Sequence, residues 1–157
     1  MPVLLRNILI GIGVLLVQWL VVGRLQLWGA YADIVLILLT IQSLRYGRLI
    51  GSISGFVMGL GLDMLYGTWG IQMFVKTLVG FLIGLFTSNE RSSTYLTPSQ
   101  AFIGMLVISL LHNGLVVVFH ALVSGTRNLF MIFALWIGSS IYTAIFATAA
   151  TPFYTSR

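Results

Sequence analysis

Six apolar segments, separated by short polar or glycine-rich stretches, make up most of the chain. They cover approximately residues 7–22, 32–44, 49–66, 71–87, 101–123 and 129–151. Crossing a bilayer takes about 20 residues of helix, so five of the segments are close to that length and the second is short. The pattern predicts an all-α, polytopic membrane bundle of six transmembrane helices. A capping box is expected where the fifth begins, with Thr97 as the cap, then Pro98, and Gln100 three residues after the cap.

Composition supports the membrane assignment. Hydrophobic residues are 59% of the 157 residues and charged residues only 7%, against about 25% charged in soluble domains. The length suits one domain covering 1–157. The first segment is too long for a signal peptide and has no small-x-small cleavage site, so we expect a retained helix. The net charge of +5 comes from scattered residues, which gives no support for nucleic-acid binding. With no cysteine, disulfides, thiolate metal sites and a cysteine nucleophile are excluded.

Basic residues predict the orientation. With the N-terminus in the cytoplasm, five arginines fall on the inner side and two on the outer side, which favours cytoplasmic N- and C-termini. The inner ones are Arg6, Arg45, Arg48, Arg91 and Arg157, and the outer ones are Arg24 and Arg127. The same topology collects four aromatic residues at the outer interface, as expected of an aromatic belt: Trp28, Tyr31, Tyr66 and Trp69.

The third segment carries a stripe of small residues that ends in an acid. Gly51, Gly55, Gly59 and Asp63 follow one another at spacings of four, which places neighbours on one helix face. The fourth segment has a companion pair, Gly80 and Gly84. Such glycines allow close approach of another helix. Two interpretations stay open: the third and fourth helices pack against each other, or one face receives a helix from another protein.

Asp63 and Lys76 lie on either side of the predicted turn at residues 67–70. A helical hairpin would place them at similar depth, so we expect an intramembrane ion pair between them that offsets the cost of each charge. The alternatives are that Asp63 caps backbone or reaches water while Lys76 extends outward, or that both serve transport or proton transfer. Asp33, at the start of the second segment, is expected to cap that helix and could pair with Arg24.

The remaining polar residues inside apolar segments predict hydrogen bonds between helices. They are Gln18, Gln42, Ser109, His112, Asn113 and His120. The two histidines share a broad helix face but lack a third ligand, which makes a poor metal site. A ligand site or proton path on this helix is the alternative. Because no nucleophile with a base and no phosphate-binding loop is present, we expect no catalytic residue, no cofactor and no metal.

The run SGFVMGLGLDMLYGTWG, residues 54–70, resembles the central signature of the MreD family of rod shape-determining membrane proteins. The signature is G-F-x-x-G-x-x-x-D followed by a glycine turn, and its matching residues are Gly55, Phe56, Gly59, Asp63, Gly67 and Gly70. Residues 31–48 look like the second helix of that family with its basic end, although Ala32 stands where the family usually has proline. The resemblance extends over about residues 6–89, and the last two segments match only in hydropathy and spacing.

The resemblance implies a scaffold of the cell-wall elongation complex (the elongasome) in the bacterial inner membrane. Its expected partner is an MreC-like single-span protein, with MreB, RodA and the partner transpeptidase reached indirectly and lipid around the bundle. The fold is expected to resemble the substrate-binding subunits of energy-coupling-factor transporters. The competing interpretation is a small-molecule-binding transporter subunit, whose pocket would use Asp33, Asp63, Gln72, Lys76 and His120. A flippase or proton channel would depend on Asp63 and Lys76 alone.

Overall fold

The computed structural model describes residues 2–87, 97–124 and 128–155. These residues form five apolar helices, so the prediction of six was wrong in its count. Helix α1 is Pro2–Leu20, α2 is Ile34–Tyr66, α3 is Ile71–Gly84 and α4 is Pro98–Ser124. Helix α5 begins with Leu129–Phe133, continues through a π-helical turn at Ala134–Gly138 and ends with Ser139–Thr155. Within this described part, α2, α4 and α5 are long and apolar enough to cross a membrane, which is consistent with a membrane protein.

The count differs because the second and third predicted segments follow each other without a loop and are numbered together as α2, whose two helical arms are divided at Gly47. Its 33 residues are interrupted at Gly47, which has φ 83° and ψ −178°. A straight helix of that length would extend about 50 Å, well beyond the roughly 30 Å of a hydrocarbon core. Instead the chain folds back at Gly47. The packing of Val35, from the first arm, against Met58 and Leu62, from the second, shows this reversal. The first arm therefore begins, and the second arm ends, at the same end of the bundle, called here the Gly67 end; the opposite end is the Gly47 end.

Two short turns at the Gly67 end hold a tryptophan and a glycine at their centres. Trp28 and Gly29 have φ of 51° and 88°, and the residues flanking them, Leu27 and Ala30, exchange two backbone hydrogen bonds of 2.9 Å. Trp69, between α2 and α3, has φ 49° and is followed by Gly70 at 88°. Bulky side chains rarely adopt this left-handed conformation. The turns leave both indoles exposed at one end of the bundle.

Several predicted helix boundaries are confirmed. The Thr97 backbone N–H donates to Gln100 Oε1 at 3.0 Å, and the Gln100 N–H donates to Thr97 Oγ1 at 3.4 Å, which is the expected capping box. Asp33 Oδ1 accepts from the Leu36 N–H at 2.8 Å and caps α2.

The orientation prediction partly rests on arginines whose side chains lie outside the described ones: Arg6, Arg91, Arg127 and Arg157.

One apolar core joins four of the helices. Its fully buried members include Leu36 and Leu39 from α2, Val75 and Val79 from α3, and Ala144 from α5, with further members from α4. The first helix packs separately, against the cluster of Val35, Met58 and Leu62. The core holds α3 between the two arms of α2 and α4, and this places the polar residues of α3 at the centre of the bundle.

Gly47→Ala tests the fold-back. The Gly47 dihedral angles lie in a region that only glycine adopts readily, where another residue costs about 1–3 kcal/mol. A methyl group there would meet nothing closer than Thr87 Oγ1 at 3.8 Å, so any loss is conformational rather than steric. We expect a lower midpoint of thermal unfolding in detergent. Gly104→Ala in α4 is the matched control, since its methyl group would enter open space and its backbone is helical. Equal midpoints for the two variants would contradict the reversal.

Candidate functional site

Lys76 of α3 is the largest fully buried side chain in the described part of the chain, with 0% exposure. Its ammonium group forms an ion pair with Asp33, at the start of α2, and lies 3.2 Å from His112 Nε2 of α4. The Asp33 N–H in turn donates to Thr143 Oγ1 of α5 at 3.0 Å. Four helices therefore meet at one buried charge. An unpaired ammonium in apolar surroundings is costly, and the ion pair offsets that cost only with this kind of additional hydrogen bonding.

The direction of each hydrogen bond around His112 follows from Lys76. An ammonium group only donates, so Nε2 accepts and the ring proton is on Nδ1. Nδ1 then donates to Asn113 Oδ1 at 3.0 Å, and Asn113 Nδ2 donates to Ser140 Oγ at 3.1 Å. The Ser140 hydroxyl donates to the Trp136 carbonyl at 2.5 Å. This chain of donors fixes a neutral imidazole and connects α3 to α5 through α4. The polar cluster is defined as Asp33, Lys76, His112, Asn113, Ser140 and Thr143.

The π-helical turn of α5 orients the side chains that follow it. Because a π turn accommodates an additional residue, it rotates the next residues relative to a regular α-helix. Ser139 Oγ accepts from the Tyr31 N–H at 3.2 Å, beside the two α5 contacts of the polar cluster. Trp136, inside the turn, donates from Nε1 to the Leu110 carbonyl at 3.0 Å. After the turn, the hydroxyl groups of Ser139, Ser140 and Thr143 face neighbouring backbone and side chains instead of lipid.

The loop before α2 is held against the bundle by polar contacts of α1. Gln18 Nε2 donates to the Ala32 carbonyl at 3.0 Å, and Gln18 Oε1 accepts from the Ile34 N–H at 2.9 Å. Burial, and after it the nearby Asp33 carboxylate, raise the pKa of the Tyr31 phenol above its usual value. The Tyr31 hydroxyl is therefore neutral near pH 7. Gln18 keeps Asp33 in position by fixing the residues on either side of it.

The predicted ion pair between Asp63 and Lys76 was wrong. The Asp63 carboxylate accepts from the Thr68 hydroxyl and from the N–H groups of Gln72 at 3.1 Å and Met73 at 2.8 Å. It therefore caps the first turn of α3, where free N–H groups and the helix dipole favour an anion. The predicted similar depth was wrong as well, because the backbone of Lys76 lies against Gly55, about two helical turns from Asp63. The Lys76 side chain instead extends to Asp33, where the first arm of α2 begins.

The glycine stripe packs against α3 of the same chain. A Cβ atom at Gly55 would lie 2.6 Å from the Lys76 carbonyl carbon, and one at Gly59 would lie 2.5 Å from Met73 Cα. Gly80 meets Gly51, where a Cβ atom on Gly80 would lie 2.9 Å from the Gly51 carbonyl carbon, and Gly84 approaches the backbone at Arg48. Of the two interpretations left open by the sequence, intrachain packing is the one observed. Phe56, the residue after Gly55, lies at the edge of this contact with 45% of its surface exposed.

The other predicted polar residues divide into two groups. Ser109 and Asn113 bond across helices as predicted, since Ser109 Oγ donates to the Ser140 carbonyl at 3.2 Å. By contrast, the buried side-chain oxygens of Gln42 and Gln72 have no hydrogen-bond partner. His120 lies eight residues beyond His112 and outside the polar cluster. No group of three or more His, Asp or Glu residues suited to a metal ion occurs in the described ranges.

A pair of double-mutant cycles separates the predicted ion pair from the observed one. Asp33→Asn and Lys76→Gln should each cost about 3–5 kcal/mol, because each leaves a buried charge unpaired. The double variant should cost clearly less than the sum. The control cycle uses Asp63→Asn with Lys76→Gln, and it should be additive. The readout is folded yield together with the thermal midpoint in detergent. Coupling in the Asp63 cycle, with additivity in the Asp33 cycle, would contradict the assignment.

Gly55→Ala tests the glycine contact. Its methyl group would meet backbone atoms of Lys76 and Thr77, which cannot move aside as a flexible side chain can. We expect the largest loss of thermal stability among single glycine-to-alanine variants of the stripe, since separating α2 from α3 also disturbs the ion pair. Gly104→Ala again serves as the neutral comparison. A Gly55→Ala midpoint equal to that of the parent would argue against close packing.

Comparisons with known proteins gave no match: no family model, no curated protein and no solved structure matches this chain.

Proposed function

We propose that this chain is a non-catalytic membrane scaffold of the bacterial cell-wall elongation complex, similar to MreD. It holds the transmembrane segment of an MreC-like single-span partner and so helps to position peptidoglycan synthesis. MreB, RodA and the partner transpeptidase are reached through that partner. Its proposed location is the inner membrane, with both termini cytoplasmic. The resemblance of residues 54–70 to the MreD signature is what points to this complex.

The observation that carries the scaffold proposal is an apolar groove on the outside of the bundle, between the second arm of α2 and α3. Its volume is about 380 Å³, and it is lined by Ser52, Phe56, Met73, Phe74, Thr77, Leu78 and Phe81. The two hydroxyl groups in the lining donate to carbonyls of their own helices, at 2.8 Å for Ser52 and 2.6 Å for Thr77. The groove therefore offers shape and aromatic surface without free polar groups.

A transmembrane helix suits such a groove. Between helices in lipid, association depends on close van der Waals packing, and a preformed depression provides more contact than a smooth surface. Phe74 also packs edge-to-face on Phe119 of α4, with ring centroids 5.4 Å apart, which fixes one wall of the groove. We propose that the partner helix lies along α3 with its side chains between the phenylalanine rings. The glycine stripe is not the contact surface, because α3 already fills it.

The state of the buried charges also favours a structural role. Asp33 and Lys76 neutralise each other, and Asp63 is engaged by the first turn of α3. A reacting group has to be accessible to a substrate, whereas these carboxylate and ammonium groups are buried and bound to other groups of the chain. The transporter alternative needs polar groups converging on an enclosed pocket. It predicts that the purified protein retains a stoichiometric small molecule, which mass spectrometry of the native protein would detect.

Single-cysteine crosslinking in cells tests the proposed partner surface. The chain has no natural cysteine, so each introduced thiol is unique. Phe74→Cys and Phe81→Cys, in the groove, should crosslink to an MreC-like protein. Ile103→Cys and Val107→Cys on α4 are matched controls, because they are apolar and 61% and 62% exposed. Equal crosslinking at both faces, or partner capture only from α4, would refute the groove as the docking surface.

A further inference from the structure

The fold-back of α2 creates a basic tip at the Gly47 end of the bundle. Arg45 and Arg48 flank Gly47, and both side chains are exposed. Tyr46 and Leu49 lie among them with 41% and 71% of their surfaces exposed. In a continuous helix these residues would be distributed over the middle of a membrane span. The reversal at Gly47 instead brings two guanidinium groups, the ring of Tyr46 and the side chain of Leu49 to one end.

The charge of the tip is uncompensated within the described ranges. The described acids are Asp33 and Asp63, and both are engaged at the Gly67 end, one by Lys76 and the other by the start of α3. The single ion pair found in the described ranges is that of Asp33 with Lys76. Arg45 and Arg48 therefore present two positive charges for which the described part of the bundle supplies no anion.

The tip is also held in a fixed position. Gly84, the last residue of α3, approaches so closely that a Cβ there would lie 2.5 Å from the Arg48 backbone nitrogen. Thr87 Oγ1 bonds to the carbonyls of Ser43 at 3.0 Å and Gly84 at 2.9 Å, which joins the end of α3 to the first arm of α2. A fixed backbone lowers the entropic cost of holding the two arginines near one ligand.

We propose that this tip binds the phosphate of an anionic phospholipid headgroup in the adjacent leaflet. The guanidinium groups of Arg45 and Arg48 supply charge-assisted hydrogen bonds to the phosphate oxygens. Tyr46 and Leu49 occupy the interface between headgroups and acyl chains, which is where amphipathic and apolar side chains of a membrane protein reside. The mixture of basic and large apolar exposed residues favours a lipid over an acidic soluble partner. The binding site stands independently of the scaffold proposal.

The test uses the full chain in nanodiscs of phosphatidylcholine, with or without 30% phosphatidylglycerol, and native mass spectrometry of retained lipid. We expect phosphatidylglycerol to be retained selectively. With about a fivefold loss of affinity for each arginine removed, Arg45→Gln with Arg48→Gln should weaken retention by about 25-fold. Arg24→Gln removes an exposed arginine at the opposite end and should leave retention unchanged. Arg45→Lys with Arg48→Lys should keep part of the binding, because both positive charges remain.

Three results would overturn the lipid site. They are selective retention that survives the double glutamine variant, an equal loss on Arg24→Gln, and equally strong binding of soluble glycerol 3-phosphate, which would identify a general anion site. All four side chains at the tip are exposed, so the variants should keep the fold. Circular dichroism and the thermal midpoint in phosphatidylcholine check this. A glutamine variant that unfolds is replaced by the single substitutions, for which the expected loss is about fivefold.

Discussion

A single buried ammonium group organises this bundle. Lys76 has no exposed surface, so every hydrogen-bond partner that it uses must come from a helix packed around it. Asp33 supplies the charge and His112 a neutral acceptor, and Asn113 and Ser140 extend the network to α5. Lipid offers no alternative partner to a side chain that is displaced from such a network. The relative positions of α2, α3, α4 and α5 are therefore constrained by one set of directed hydrogen bonds, in addition to apolar packing, which by itself has little directional preference.

Backbone geometry makes that network possible. The left-handed Gly47 returns the second arm of α2 to the end where the first arm begins, and the glycine stripe lets the α3 backbone touch that second arm. Gly55 faces the backbone of Lys76, so the lysine side chain projects away from the second arm and reaches Asp33 on the first. The position of the ion pair therefore depends on the glycines, since a bulkier residue at Gly55 would displace α3 and with it the ammonium group of Lys76.

Much of the local structure could be predicted from the sequence, and the tertiary pairing could not. The capping box at Thr97, the cap at Asp33 and the turn at residues 67–70 follow from local patterns, which depend on residues close in sequence. The pairing of Lys76 depends on which arm of α2 its side chain faces, and that is set by packing. Hydropathy recorded the interruption near Gly47, where α2 is divided into two arms, but it could not show that the arms follow each other without a loop. The π-helical turn in α5 had no recognisable signal, since its composition is that of an ordinary apolar helix.

The distribution of polarity indicates how such a bundle can act. Near the Gly67 end, Asp33 and Lys76 are directed inward and neutralise each other, whereas the arginines at the Gly47 tip are directed outward without a described counter-charge. The surface between these ends is apolar, and its groove has its hydroxyl groups engaged internally. Inward-directed charge constrains the arrangement of the helices. The exposed apolar surface of the bundle, by contrast, is accessible to lipid or to a partner helix. This distribution agrees with the proposed scaffold role, in which a partner helix lies in the apolar groove and the basic tip and the exposed indoles mark the two ends of the bundle.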